Sequence, residues 1–157
     1  MSLERSLRAA QGYIELDMTD EALREMDALS ADDRECEEVL QMRLFVLMRS
    51  KRWTDALAVC QHLRNGSPDG TTGYIHGAFC LHEMGRTLEA KKLLLQGPAV
   101  LLNEPTYHYN LGCYNAVLGH LEEAATHLET SFQMDQKFRA IARYDPDLKP
   151  VHGLLGK

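Results

Sequence analysis

Cations are scarce in this chain of 157 residues, where 17 lysines and arginines face 23 aspartates and glutamates for a formal charge of −6. A surface of that sign repels a phosphate backbone and an anionic membrane, so nucleic acid and lipid are not expected partners. Long apolar runs are missing as well. Those present are short pieces such as Leu93-Leu94-Leu95 and Ala99 to Leu102, far below the roughly 20 residues of a membrane span. The start, Met1-Ser2-Leu3-Glu4-Arg5, already reads as helix and lacks the apolar core of a signal peptide, which makes the cytoplasm the expected compartment. Cysteine is limited to Cys36, Cys60, Cys80 and Cys113, with no C-x-x-C and no framework spacing, so these are expected to be buried or half-buried free thiols.

Motifs that carry chemistry are also missing. There is no phosphate-binding G-x-x-x-x-G-K-S/T, no G-x-G-x-x-G, no H-E-x-x-H and no serine nucleophile motif, and no cofactor or catalytic activity is expected. His76 and Cys80 lie one helical turn apart and are both transition-metal ligand types. His82 falls off that face and nothing nearby supplies a third and fourth ligand, so ordinary packing is the expected role. Asn65-Gly66-Ser67 matches a glycosylation acceptor formally, but reads as part of the clearest loop, Asn65 to Gly70.

What the chain does have is a helical period that restarts. In Pro105 to Gln136, residues Tyr107, Leu111, Gly112, Cys113, Tyr114, Val117 and Leu118 follow one amphipathic helix; Gly119-His120 breaks it, and Leu121, Ala124, Ala125, Leu128, Ser131 and Phe132 resume it. The pattern repeats upstream every 34 residues without insertions. Ala22, Ala56, Ala90 and Ala124 each follow an acidic residue (Glu21, Asp55, Glu89, Glu123) and precede a bulky one four places on (Met26, Cys60, Leu94, Leu128). The alanine lets the second helix of each hairpin approach the first closely, and the larger residue fills the gap one turn along. An irregular helical bundle would need no such period.

This spacing resembles the tetratricopeptide repeat. The resemblance implies an all-α, right-handed superhelical α-solenoid of four helical hairpins, 3–36, 37–70, 71–104 and 105–138, closed by a capping helix and tail at 139–157, all in a single domain. Helix one is expected over Leu3 to Leu16 and helix two over Asp20 to Leu29. The carboxylates Asp32, Asp33, Glu35, Glu37 and Glu38 are expected at the start of helix three, with Arg49, Lys51 and Arg52 at its end, complementing the helix dipole. Trp53, the only tryptophan, is expected to pack between the helices of its hairpin. Departures from the pattern carry further expectations. Asp17 and Lys51 stand where Gly85 and Gly119 make the turn, and Leu44 is too large for the close-packing slot held by Ala10, Ala78 and Gly112, so the second hairpin should open or repack. Gly97-Pro98 should stop a helix near Gln96 and leave Ala99 to Leu102 as a separate segment. From Gln136 to Tyr144, Phe138, Ile141 and Ala142 form the capping stripe; Asp145-Pro146-Asp147-Leu148 breaks it, leaving Leu148, Val151, Leu154 and Leu155 to dock or stay loose.

In proteins of this kind the first helix of each hairpin lines a concave groove, and the resemblance carries its ligand positions to Glu4, Leu7, Gln11, Ile14 and Glu15 in the first hairpin and Glu38, Gln41, Phe45, Met48 and Arg49 in the second. Thr72, Ile75, Phe79, His82 and Glu83 follow in the third, and Thr106, Tyr109, Cys113, Ala116 and Val117 in the fourth, with His76 and Asn110 beside them. The expected partner-binding set is Gln41, Phe45, Met48, Ile75, His76, Phe79, His82, Thr106, Tyr109, Asn110 and Cys113. Phe45, Met48, Ile75, Phe79 and Tyr109 would form one apolar and aromatic floor, and such a patch exposed to water usually marks an interaction site. The competing reading is that the floor packs between neighbouring helices or is covered by the chain's own tail. The two-carboxylate clamp that some relatives use for acidic chaperone tails is absent, since no cation stands at the matching positions. Two functions follow from the resemblance: a non-catalytic scaffold that binds an apolar or aromatic protein segment, or a small acidic chaperone with a general likeness to those of type III secretion. Pairing of the protein with itself is compatible with both.

Overall fold

The computed structural model describes residues 2–156 and is all-α: ten α-helices, two 3-10 segments and no strand are found among the described residues. Two compact units divide at Ser67 and Pro68, inside the stretch Asn65 to Gly70 expected as a loop, of which Asn65 and Gly66 are still helical.

The first unit holds α1 (Leu3–Glu15), α2 (Thr19–Asp27), α3 (Ala31–Arg34), α4 (Glu37–Arg49) and α5 (Trp53–Gly66). Ser2 begins α1 by accepting the Arg5 backbone N–H at 3.2 Å, a hydroxyl N-cap. The apolar face of α1, Leu7, Ala10 and Ile14, closes on Ala22 and Met26 of α2 and on Val39 and Val46 of α4. Three ion pairs tie one hairpin to the next: Arg49 to Asp17 at 2.9 Å, Arg52 to Asp20 at 2.7 Å and Arg43 to Asp27 at 2.6 Å. One expectation needs correcting here. The acidic run does not open a single helix, because Ser30 caps Asp33 N at 3.2 Å and Cys36 is extended. Asp32 and Asp33 therefore sit in the one-turn α3, and only Glu37 and Glu38 occupy the first turn of α4.

The second unit holds α6 (Thr72–Glu83), α7 (Thr87–Leu95), a 3-10 segment Ala99–Asn103, α8 (Pro105–Val117), α9 (Leu121–Met134), α10 (Lys137–Arg143) and a 3-10 segment Pro146–Leu154. Pro105 occupies the first turn of α8, where its missing N–H costs nothing. As the Gly97-Pro98 pair demands, α7 ends at Leu95 and the chain turns through the separate segment. The capping stripe docks only in part. Ala142 is buried, but Ile141 is 49% exposed, and it is Leu148 and Val151 from the last segment that are fully buried.

The packing slots repeat with the sequence. Ala22, Ala56, Ala90 and Ala124 all have zero exposure, and Met26, Cys60, Leu94 and Leu128 are sealed behind them. Leu44 is buried in its slot, so the second hairpin accommodates the larger side chain inside. The turns repeat too. Met18 N donates to Tyr13 O, Arg52 N to Leu47 O, Arg86 N to Leu81 O and His120 N to Asn115 O, all at 2.8 Å. Just before each of these donors, Asp17, Lys51, Gly85 and Gly119 take φ of 58°, 59°, 80° and 85°. The left-handed residues themselves donate to Ile14, Met48, His82 and Ala116 O at 2.9–3.2 Å, and the pair of bonds around a left-handed residue is the Schellman helix end.

A lysine in that conformation carries Cβ–carbonyl strain of about 1–2 kcal/mol, which glycine avoids at the cost of greater unfolded-state freedom, about 0.5–1 kcal/mol. Lys51→Gly is therefore expected to raise stability by about 0.5–1 kcal/mol, read as a higher urea midpoint with unchanged slope. A lower midpoint would mean that Lys51 makes a contact outweighing its backbone strain.

Candidate partner-binding surface

Of the expected binding residues, Gln41, Phe45 and Met48 belong to the first unit and the remainder to the second. In the first unit, α4 is held by its buried face, Val39, Leu40, Leu44, Val46 and Leu47. Phe45 is thereby turned outward, 55% exposed, with Gln41 and Met48 one turn to either side. Gln41 is exposed and donates to Glu37 at 3.0 Å; Met48 is half-buried. Between α1 and α4 lies a cavity of about 350 Å³ lined by Leu3, Glu4, Leu7, Arg8, Gln11, Glu38 and Met42. Glu4, Leu7, Gln11 and Glu38 are four of the groove positions named from the sequence. Its walls combine aliphatic side chains with carboxylates, and one carboxylate, Glu4, is already paired with Arg8 at 2.5 Å.

In the second unit the expected open floor is not what α6 and α8 present. Thr72, Thr106 and Asn110 are half-buried, as are His76 and Phe79, while Ile75, Tyr109 and Cys113 are buried. Burial holds the His76 imidazole below its ordinary titration range. The cover over α8 is the chain's own C-terminal segment. Tyr109 donates its hydroxyl to Asp145 Oδ2 at 2.7 Å and holds its ring tilted at 5.1 Å from that of Phe138. The Cys113 thiol points at the same carboxylate oxygen at 3.6 Å. One helix away, His82 Nε2 meets Asp147 Oδ2 at 2.9 Å, its Nδ1 meets Thr87 Oγ1 at 2.9 Å, and its ring lies 4.9 Å from that of Tyr114.

The electrostatics follow from this cover. Burial first, then the Asp145 carboxylate, pushes the Tyr109 phenol and the Cys113 thiol well above their ordinary values, so both remain protonated donors and Cys113 is a poor nucleophile. Burial likewise raises the Tyr114 phenol, whose hydroxyl makes no hydrogen bond among the described residues. Asp145, Asp147 and Phe138 were not expected at this surface. The sequence signal that could have found them is the Asp-Pro-Asp-Leu break, where two carboxylates and an aliphatic side chain follow directly on the capping stripe. Among the described residues, no group of three or more histidines, cysteines, aspartates and glutamates gathers as a metal site, and no helix is long and apolar enough to cross a membrane.

No family model matches this sequence, and no curated protein matches it either. Solved structures do. A MamA double mutant, "MamA RS-1 ArsTM", superposes with a TM-score of 0.75 at 15% identity, covering 97% of this chain and 93% of its own. MamA 41-end from Desulfovibrio magneticus RS-1 gives 0.74 at 16% identity over 86% and 76%, and "MamA MSR-1 C2" gives 0.72 at 17% over 88% and 79%. Identity this low speaks for the fold alone: the chain is an all-α solenoid of tetratricopeptide-like hairpins, similar in architecture to MamA.

Proposed function

We propose that this protein is a non-catalytic interaction scaffold that takes an apolar or aromatic protein segment, extended or helical, on the surfaces made by the first helix of each hairpin. The observation that carries the reading is the cavity between α1 and α4, lined by Glu4, Leu7, Gln11 and Glu38, with the exposed ring of Phe45 farther along α4. An aromatic side chain left in water, one turn along α4 from Met42 of the cavity wall, is a candidate anchor for a partner. Gln41 and Met48 flank it, and in the second unit His76, Phe79, Thr106 and Asn110 offer half-buried polar and aromatic contacts. The net charge of −6 favours a protein partner over nucleic acid.

Screening an array of apolar and aromatic peptides against the unmodified chain and Phe45→Ala tests this reading. Peptides retained by the unmodified chain are expected to bind the variant at least tenfold more weakly, about 1.4 kcal/mol, while the melting temperature moves by less than about 2 °C, because the ring is mostly outside the core. Equal retention by both proteins, or a large fall in melting temperature, overturns the role of Phe45. Suppression of aggregation of an unfolding client by the unmodified chain, without sequence-selective peptide binding, would favour the chaperone reading instead.

A further inference from the structure

We propose that His82, Tyr109 and Cys113 form a recognition notch for acidic segments in which two aspartates stand two residues apart ahead of an aliphatic residue, and that Asp145 to Val151 of this chain is its resident occupant, displaceable by a partner peptide of the same pattern. This rests on the scaffold reading above and names a partner chemistry for the second unit.

Three positions assigned to ligand contact by the repeat spacing are the three that hold the chain's own carboxylates. Tyr109 and Cys113 converge on Asp145 Oδ2 at 2.7 and 3.6 Å, and His82 reaches Asp147 at 2.9 Å. The other oxygen of Asp145 accepts the Asp147 backbone N–H at 3.0 Å, which sets the two carboxylates in one turn. Behind them Leu148 and Val151 are fully buried, while Pro146, Lys149 and Pro150 face solvent. The pattern read by the surface is thus Asp-x-Asp-Leu-x-x-Val.

The occupant is held like a bound peptide rather than like a helix of the fold. Its backbone is a 3-10 segment containing Pro150, and 3-10 hydrogen bonds are poorer than α-helical ones. Its attachment to α6 and α8 lies in the side chains of Asp145 and Asp147, which an incoming segment could reproduce, while beyond it His152 meets Ala142 O at 3.2 Å and Gly156 is held by Glu129 and Arg139 at 2.9 and 2.8 Å. Just before it, Arg143 and Tyr144 are exposed, Tyr144 by 83%, which places the release point in water. The Tyr109 and Cys113 donors are neutral hydroxyl and thiol groups, so a peptide's grip on them should depend less on salt than a lysine clamp would.

A tethered occupant competes at an effective concentration near millimolar, so the test first weakens it. In the full chain, Asp145→Ala with Asp147→Ala removes the carboxylates and leaves Leu148 and Val151 in place. A fluorescein-labelled peptide with the sequence of residues 143–153 is expected to bind this double variant at least tenfold more tightly than the unmodified chain, and to lose that gain when its own two aspartates are replaced by alanine. Adding Tyr109→Phe to the double variant should weaken the peptide several-fold. No binding by a variant whose circular dichroism is intact, or equal binding of both peptides, overturns the proposal. Should the double variant fail to fold, hydrogen exchange on the unmodified chain decides: millimolar peptide must speed exchange of the amides of Leu148, Lys149, Val151 and His152 relative to α8, and no change overturns the proposal. Concentration-dependent dimers without peptide binding would assign the notch to a second copy's segment and likewise overturn it. Loss of this binding with Phe45-dependent binding intact would remove the notch and leave the scaffold reading standing.

Discussion

Gly112→Ala is expected to destabilise the protein by about 1–3 kcal/mol, the range for forcing a methyl into a filled core, and Gly112→Val by more. A Cβ on Gly112 would lie 2.5 Å from Leu128 Cγ and 2.6 Å from its Cδ2, with Ala124 O at 3.3 Å. Leu128 cannot swing aside, because it is itself completely buried, and Ala124 O belongs to the α9 backbone. The added methyl would push α8 and α9 apart along the contact that the small residue makes possible. Gly12 supplies the control. It is exposed within α1, and a Cβ there meets nothing within 4 Å, so Gly12→Ala should stabilise by about 0.5–1 kcal/mol through helix propensity alone. Urea unfolding of both variants checks the pair. Equal and opposite signs of effect are not required, but a neutral Gly112→Ala would mean that α8 and α9 are not in the close contact described.

Leu148→Ala is expected to cost about 2–5 kcal/mol, the range for truncating a fully buried leucine. The segment bearing it contacts α8 and α9, and Leu148 and Val151 both have zero exposure. A loosely tethered tail would predict a change near zero. Thermal unfolding separates the two, because 1 kcal/mol corresponds to about 2–4 °C in a domain of this size. A large loss is compatible with exchange of the segment: an incoming peptide that carries its own leucine restores the same burial, whereas the variant has nothing to restore it with. Asp145→Ala alone should cost less, because the Tyr109 hydroxyl and the Cys113 thiol lose one shared acceptor and no apolar surface changes.

The legible part of this molecule was the part governed by local period. Ala22, Ala56, Ala90 and Ala124 could be located because a helix returns to the same face every three to four residues, and a close helical contact tolerates only a small side chain. The turns after α1 and α4 were harder. Their left-handed residues are Asp17 and Lys51, which do not advertise that conformation as glycine does, and only the fixed spacing from Gly85 and Gly119 pointed to them. The stop at Gln96 was readable from proline chemistry. The one-turn α3 was not, because a charged run suits a helix start wherever the cap falls, and the Ser30 cap decided it.

The binding surface divides along the same line. Which residues stand on the first helix of each hairpin, among them Phe45, His82, Tyr109 and Cys113, is a matter of register, and register was written in the sequence. Whether each one meets water was not. Tyr109 is covered by Asp145, 36 residues later in the chain, and Phe45 is left exposed. A long-range contact of that kind leaves no period to read, because it depends on where the last segment comes to rest once the helices before it have packed. The sequence by itself determined a ladder of helical hairpins and the side chains each one offers; only the tertiary structure decided which of them the protein keeps for itself, since burial depends on what lies across the gap rather than on what stands next in the chain.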